Sequence, residues 1–129
     1  GAVGPFDGHV TTLKPHQTRP DGKPWPSYRC IFPEAPPPGT VPNCSEVGVL
    51  GTVVGVVGTL MAMEILKEIT GAGESLAGRL VLYDALAARF ESVNIGWDPD
   101  NPLSGTAPTI TDLSSHRTDK AAATTCAAH

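Results

Sequence analysis

Hydrophobic and polar positions along the chain change period three times, and each change predicts an element. Residues 1–23 are polar and broken by Gly and Pro, except for His9-Val10-Thr11-Thr12-Leu13. That short β-branched run predicts a strand, and Lys14-Pro15 ends it. Residues 24–42 carry Pro24, Pro26, Pro33, Pro36, Pro37, Pro38 and Pro42. Proline lacks an amide donor and restricts the residue before it, so this stretch predicts a long loop without helix. Pro36-Pro37-Pro38-Gly39 is expected to be extended and stiff. Such a loop in a small domain serves either as a lid, crossover or binding loop or as a rigid connector.

Residues 44–70 predict one long apolar helix notched by Gly48, Gly51, Gly55 and Gly58. The glycines are spaced to fall on one face, where they would admit another backbone: a sheet, a second helix or a twofold mate. Each interior Gly costs up to about 1 kcal/mol relative to Ala, which calls for such a compensation. Leu50, Val54, Val57, Met61 and Ile65 form a bulkier face. Met61, Met63 and Leu66 are core candidates, Glu64 and Lys67-Glu68 mark the solvent side, and Gly71 suits the C-terminal cap. Residues 79–97 predict a hairpin, with strands 79–84 and 89–95 joined through Ala85-Leu86-Ala87-Ala88. Residues 106–129, rich in Ala, Thr and Ser, show no apolar period and are expected to be a disordered or loosely packed tail.

Length and charge narrow the function classes. The 129 residues suffice for one small domain, and the net charge of −4 with no basic cluster argues against nucleic acid as a partner. Three cysteines fit a reducing, cytoplasmic setting better than a secreted disulfide framework. No signal peptide is visible, and the first residue is Gly rather than Met, which suggests a processed chain or a fragment. Val47–Met63 is uncharged but falls short of the ~20 residues that cross a bilayer, and Glu46 and Glu64 bracket it, so a buried helix is the better reading.

Cys44 is the candidate for chemistry. Asn43 is placed to cap the helix, Glu46 completes a capping-box-like pair, and Cys44 would be the first helical residue. The positive end of a helix dipole favours thiolate, the attacking and ligating form of cysteine. The other reading is a small unreactive side chain in a buried loop. Cys126, in a C-terminal Cys-Ala-Ala-His, mimics a prenylation box with an ill-suited last residue.

A run of local sequences then resembles one family. Phe6-Asp7-Gly8-His9-Val10, Ser27-Tyr28-Arg29-Cys30-Ile31-Phe32-Pro33-Glu34 and Pro36-Pro37-Pro38 come in that order. Cys44-Ser45-Glu46-Val47-Gly48-Val49-Leu50-Gly51, Gly58-Thr59-Leu60-Met61-Ala62-Met63-Glu64-Ile65-Leu66-Lys67 and Gly78-Arg79-Leu80-Val81-Leu82-Tyr83-Asp84-Ala85 follow. Collinear over residues 1–105, these pieces resemble the C-terminal half of the MoeB/ThiF/HesA adenylyltransferases, the ubiquitin-activating-enzyme-like group, with the MoeB branch nearest. The resemblance implies an α/β fold: the C-terminal part of a Rossmann-like domain, one long glycine-notched helix plus an antiparallel β extension. It also implies ATP and Mg in the intact protein, a homodimer, and adenylation of the C-terminal glycine of a ubiquitin-fold sulfur carrier, MoaD-like or ThiS-like. The proline loop would cross over the carrier tail.

Two departures qualify what is carried over. No Gly-rich strand-to-helix turn is present to cradle phosphates, so this chain alone is expected to bind no cofactor and to be inactive. The zinc-binding positions of relatives fall on Ser27, Cys30, Asn101 and Ser104, of which Cys30 alone is a zinc-type donor. The metal site is therefore read as eroded, with hydrogen bonds or packing tying 27–30 to 101–104. Cys44 matches the position where some relatives carry a thioester- or persulfide-forming cysteine. The alternative to an enzyme part is a non-catalytic module that docks a ubiquitin-like partner or dimerises.

Overall fold

The computed structural model describes residues 1–37, 39–40 and 47–114. Four strands form one antiparallel sheet: β1 (Ala2–Val3), β2 (Asp7–Thr11), β3 (Arg79–Asp84) and β4 (Arg89–Asn94), side by side in that order. Among the described residues, helices α1 (Tyr28–Ile31) and α2 (Gly51–Thr70) accompany it.

The sheet closes non-local pairs. His9 lies opposite Leu82, and Val10 opposite Val81, so the strand near the start of the chain pairs with the first arm of the hairpin. In the hairpin, Tyr83 lies opposite Phe90 with the rings stacked at 4.6 Å. The four-residue turn is built on Asp84, whose Oδ1 accepts the amides of Leu86 and Ala87 at 3.0 Å each. Ala88 closes it at φ 51°, a left-handed conformation that strains a residue with a Cβ.

Helix α2 lies across β1 and β2. Val10, Val53 and Val57, exposed by 2%, 1% and 3%, form the core between helix and sheet. Val3, Leu60, Leu76, Tyr83 and Ala85 pack around them. Full burial of a side chain of this kind is worth about 1.5–3 kcal/mol. Gly8 lets the helix come close: a Cβ there would stand 2.6 Å from Val57 Cγ2.

Several expectations are corrected. The strand begins at Asp7 and ends at Thr11 rather than running 9–13, because pairing with β1 and β3 extends it toward the start of the chain. The two-residue strand β1, too short to announce itself, was not anticipated. The proline-rich stretch does hold a helix, a single turn at Tyr28–Ile31, because Pro26 and Pro33 flank the turn without entering it. The long helix starts at Gly51, not at residue 44: Gly48 takes φ 75°, and residues 48–50 are non-helical. Its end is as expected, with Gly71 at φ 70° and its amide bonded to Lys67 O at 2.8 Å.

The buried stripe of α2 is Val53, Val57 and Glu64. Leu50, Val54, Met61, Met63, Ile65 and Leu66 are exposed, and a Cβ at Gly51, Gly55 or Gly58 would meet no atom within 4 Å. The helix is apolar around most of its circumference, so its pattern alone does not select which stripe the sheet takes. The glycine face meets no backbone among the described residues. Among those residues no helix is long and apolar enough to cross a membrane.

Past residue 105 the chain is still fastened. Thr106 N donates to Pro99 O at 2.8 Å, and the amides of Thr109 and Ile110 both donate to Pro102 O at 2.9 Å. The stretch expected to be loose from 106 onward is thus tied back as far as Ile110.

Candidate functional site

The structure brings four of the five singled-out residues together. Ser27 and Cys30 sit at the two ends of the first turn of α1. Ser27 is the N-cap, extended at φ −95° and ψ 175°, and Cys30 N donates to its carbonyl at 3.1 Å. Cys30 Sγ reaches back to accept Ser27 N at 3.3 Å. The sulfur plays the part that a Glu carboxylate takes in a capping box.

Asn101 and Ser104 lie on the loop after β4, which is anchored by Trp97 Nε1 donating to Ser104 O at 3.0 Å. The two loops meet in the buried interior: Ser27 is 0% and Asn101 1% exposed. Ser27 Oγ donates to Asn101 Oδ1 at 3.4 Å, and Asp98 N donates to Cys30 Sγ at 3.5 Å. Asn101 Oδ1 also accepts Ser104 N at 2.7 Å, Leu103 N at 3.1 Å and Ser104 Oγ at 3.3 Å. Its Nδ2 donates to Asp98 O at 2.5 Å. Every polar atom of the Asn101 side chain is therefore engaged, as burial requires.

These residues do not suit zinc. A closed structural zinc site takes four Cys or His donors. Here Cys30 supplies one sulfur, Ser27 and Ser104 offer neutral hydroxyls, and the Asn101 carbonyl oxygen is already saturated by four donors. Among the described residues, no group of three or more His, Cys, Asp or Glu is placed to hold a metal ion.

On the sheet face away from α2, a groove of about 670 Å³ opens between the sheet and the proline-rich segment. His9, Thr11 and Leu80 form its floor, and Tyr28, Phe32, Glu34 and Pro36 its wall. Phe32 packs on His9 at 5.8 Å and on Tyr28 at 5.2 Å. Arg29 is largely buried beside it, its Nη1 donating to Phe32 O at 3.2 Å. Burial pushes the His9 pKa down, against the opposing pull of Asp7. Neither Arg29 nor the groove was singled out from sequence. The signal available was Arg29 itself, a charged residue in an otherwise apolar stretch between two prolines.

Glu64 is the other residue that sequence misplaced. It is 8% exposed and staples α2 to two other segments. Its Oε2 accepts Leu76 N at 2.9 Å and Thr12 Oγ1 at 3.0 Å, and Lys67 pairs with Oε1. Burial pushes its pKa up, but the Lys67, Leu76 and Thr12 bonds outweigh it and hold the carboxyl below its ordinary value.

Cys44, with Asn43 and Glu46 around it, lies outside the described residues, as do Pro38 and Cys126. Helix α2 begins at Gly51, so Cys44 is not its first residue.

The long helix against an antiparallel sheet, with two loops joined beside it, is a mixed α/β architecture. The chain belongs to the ThiF family, whose model matches residues 1–104. It is 47% identical over 113 residues to the sulfur carrier protein adenylyltransferase of Thermus thermophilus, covering 88% of this chain and 41% of that protein. It is 49% identical over 105 residues to the SAMP-activating enzyme E1 of Haloferax volcanii, covering 81% of this chain and 36% of that enzyme. It is 48% identical over 89 residues to the adenylyltransferase and sulfurtransferase MOCS3 of Bos taurus, covering 68% of this chain and 20% of that protein. The chain thus spans less than half the length of these relatives.

Proposed function

We propose that this chain is the carrier-docking portion of an ATP-dependent adenylyltransferase that activates the C-terminal glycine of a ubiquitin-fold sulfur carrier, MoaD-like or ThiS-like. The observation that carries the reading is the ThiF match over residues 1–104, joined to the identity with a protein named for that activity. The groove between the outer sheet face and the proline-rich segment supports it. An extended glycine-ended tail needs a narrow trough, and this one has His9, Thr11 and Leu80 as its floor and aromatic and proline residues in its wall.

In this reading ATP and Mg are held by a nucleotide-binding half that these residues do not supply, since none of their glycines forms a strand-to-helix phosphate cradle. The contribution of the chain is to hold the carrier tail, keep water from it and present it for adenylation. Cys44 is the candidate thioester or persulfide residue, and the setting is cytoplasmic. The test is ATP–pyrophosphate exchange reconstituted from this chain, a nucleotide-binding half and a carrier. Exchange that requires the carrier's terminal glycine is expected. For Cys44, alkylation near neutral pH faster than at Cys30 is expected, and equal or slower reaction removes the thiol from the proposal.

A second reading has one observation in its favour: the outer face of α2 exposes Val54, Met61 and Ile65 beside glycines that touch nothing. Exposed apolar patches of this kind mark association surfaces. The chain would then serve as a docking or homodimerising module without catalysis. Carrier binding without exchange, when the nucleotide-binding half is present, would favour this reading.

A further inference from the structure

The four residues at the zinc positions keep the spacing of a metal site while lacking its chemistry. Tetrahedral zinc at about 2.0–2.3 Å from its ligands sets ligand–ligand separations of about 3.3–3.8 Å. Three such separations are seen here: Ser27 Oγ to Cys30 Sγ at 3.6 Å, Ser27 Oγ to Asn101 Oδ1 at 3.4 Å, and Ser104 Oγ to Asn101 Oδ1 at 3.3 Å. In a metal site those contacts between donor atoms would be held by the central cation. Here all three are hydrogen bonds along the edges, because hydroxyls and a thiol bring their own protons where thiolates cannot.

We propose that this chain has exchanged a zinc knuckle for a metal-free one, in which the Asn101 carboxamide oxygen is the hub that cross-links α1 to the loop after β4. The argument rests on chemistry as well as distance. A thiolate at position 101 would face the other ligands as a like charge and would need a cation. A neutral amide oxygen instead accepts four donors, two from its own loop's backbone and two from hydroxyls, one of them on the far loop. Cys30, the surviving ligand residue, is satisfied as an acceptor of Ser27 N and Asp98 N, the amides that would otherwise point at a metal-bound sulfur. No buried side-chain polar atom among the described residues lacks a partner. The cross-link therefore neither requires metal nor leaves a donor free to take one. It makes stability independent of zinc supply and indifferent to chelators.

The experiment compares four forms of the full chain. The wild type is expected to carry substoichiometric zinc by elemental analysis and to melt at the same temperature with and without a strong chelator. Asn101→Ala removes the hub and is expected to lower the melting temperature. Asn101→Asp, which keeps the acceptor oxygen, is expected to lose less. In the triple variant Ser27→Cys, Asn101→Cys and Ser104→Cys, Cys30 regains three thiol partners. That variant is expected to bind one Co(II) with the visible bands of tetrahedral thiolate coordination, and to be stabilised by zinc where the wild type is not. Stoichiometric zinc in the wild type, with melting lowered by chelator, would overturn the proposal. So would equal losses in Asn101→Asp and Asn101→Ala, or a triple variant that takes up no Co(II).

Discussion

The Glu64 carboxylate, inside helix α2, accepts the backbone amide of Leu76 at 2.9 Å and so fixes the end of the helix to the segment that leads into β3. With Thr12 Oγ1 on the same oxygen and Lys67 on the other, one side chain holds three segments in register. Replacing it with Ala leaves the Leu76 amide and the Thr12 hydroxyl without their acceptor. Glu64→Ala is expected to cost about 1–3 kcal/mol, read from urea unfolding midpoints.

The same residue sets part of the acid sensitivity. Its hydrogen bonds hold the folded-state pKa below that of the unfolded chain. The folded form therefore prefers the charged carboxylate. The stabilisation is fully present above the unfolded-state pKa and is lost as pH falls through the lower, folded value. Glu68, bonded to Lys14 and Ser75, shifts in the same direction. Between roughly pH 6 and pH 2, Glu64→Gln should show a shallower decline in unfolding midpoint than the wild type. An unchanged slope would remove Glu64 from the account.

Gly8 and Val57 should be energetically coupled. A Cβ on residue 8 would fall 2.6 Å from Val57 Cγ2, far inside contact distance, and the core is too closely packed to absorb it. Gly8→Ala is expected to cost about 1–3 kcal/mol as an overpacking change. Val57→Ala alone opens a cavity instead. Combined, the two should cost less than their sum by about 0.5 kcal/mol or more in a double-mutant cycle of thermal unfolding.

The hairpin turn stores a small strain that can be released. Ala88 takes φ 51°, where a Cβ costs about 1 kcal/mol and glycine is at ease. Ala88→Gly should raise the thermal midpoint, although glycine also gains entropy in the unfolded chain and trims the benefit. A lower midpoint would mean that the turn is held by something other than Asp84.

How far the sequence reached follows from the range of the interactions. The hairpin was legible because its signal is local: Leu80 to Tyr83 is a β-rich run, Glu91 to Ile95 alternates, and the turn lies between them. The C-terminal end of α2 was legible for the same reason, since Gly71 acts within one turn. The start was not, because Gly48 reads equally as a helix notch or as the left-handed break it is. The buried stripe of α2 was misassigned because Val53, Val54, Val56 and Val57 are equally apolar, and the sheet rather than the pattern chooses among them. Glu64 read as a solvent marker because its partners, Thr12 and Leu76, are remote in sequence or past the helix end. At the knuckle, positions 27, 30, 101 and 104 were legible through family resemblance. The hub role of Asn101 was not, because it depends on Ser27 reaching it from a distant segment.

The most direct test of the central claim is ATP–pyrophosphate exchange measured with this chain, a ubiquitin-fold sulfur carrier and a nucleotide-binding half of the same family, each added or withheld. Exchange is expected only when all three are present, and only with a carrier that ends in its native glycine. Exchange by this chain and ATP unaided, or none with every component supplied, would contradict it.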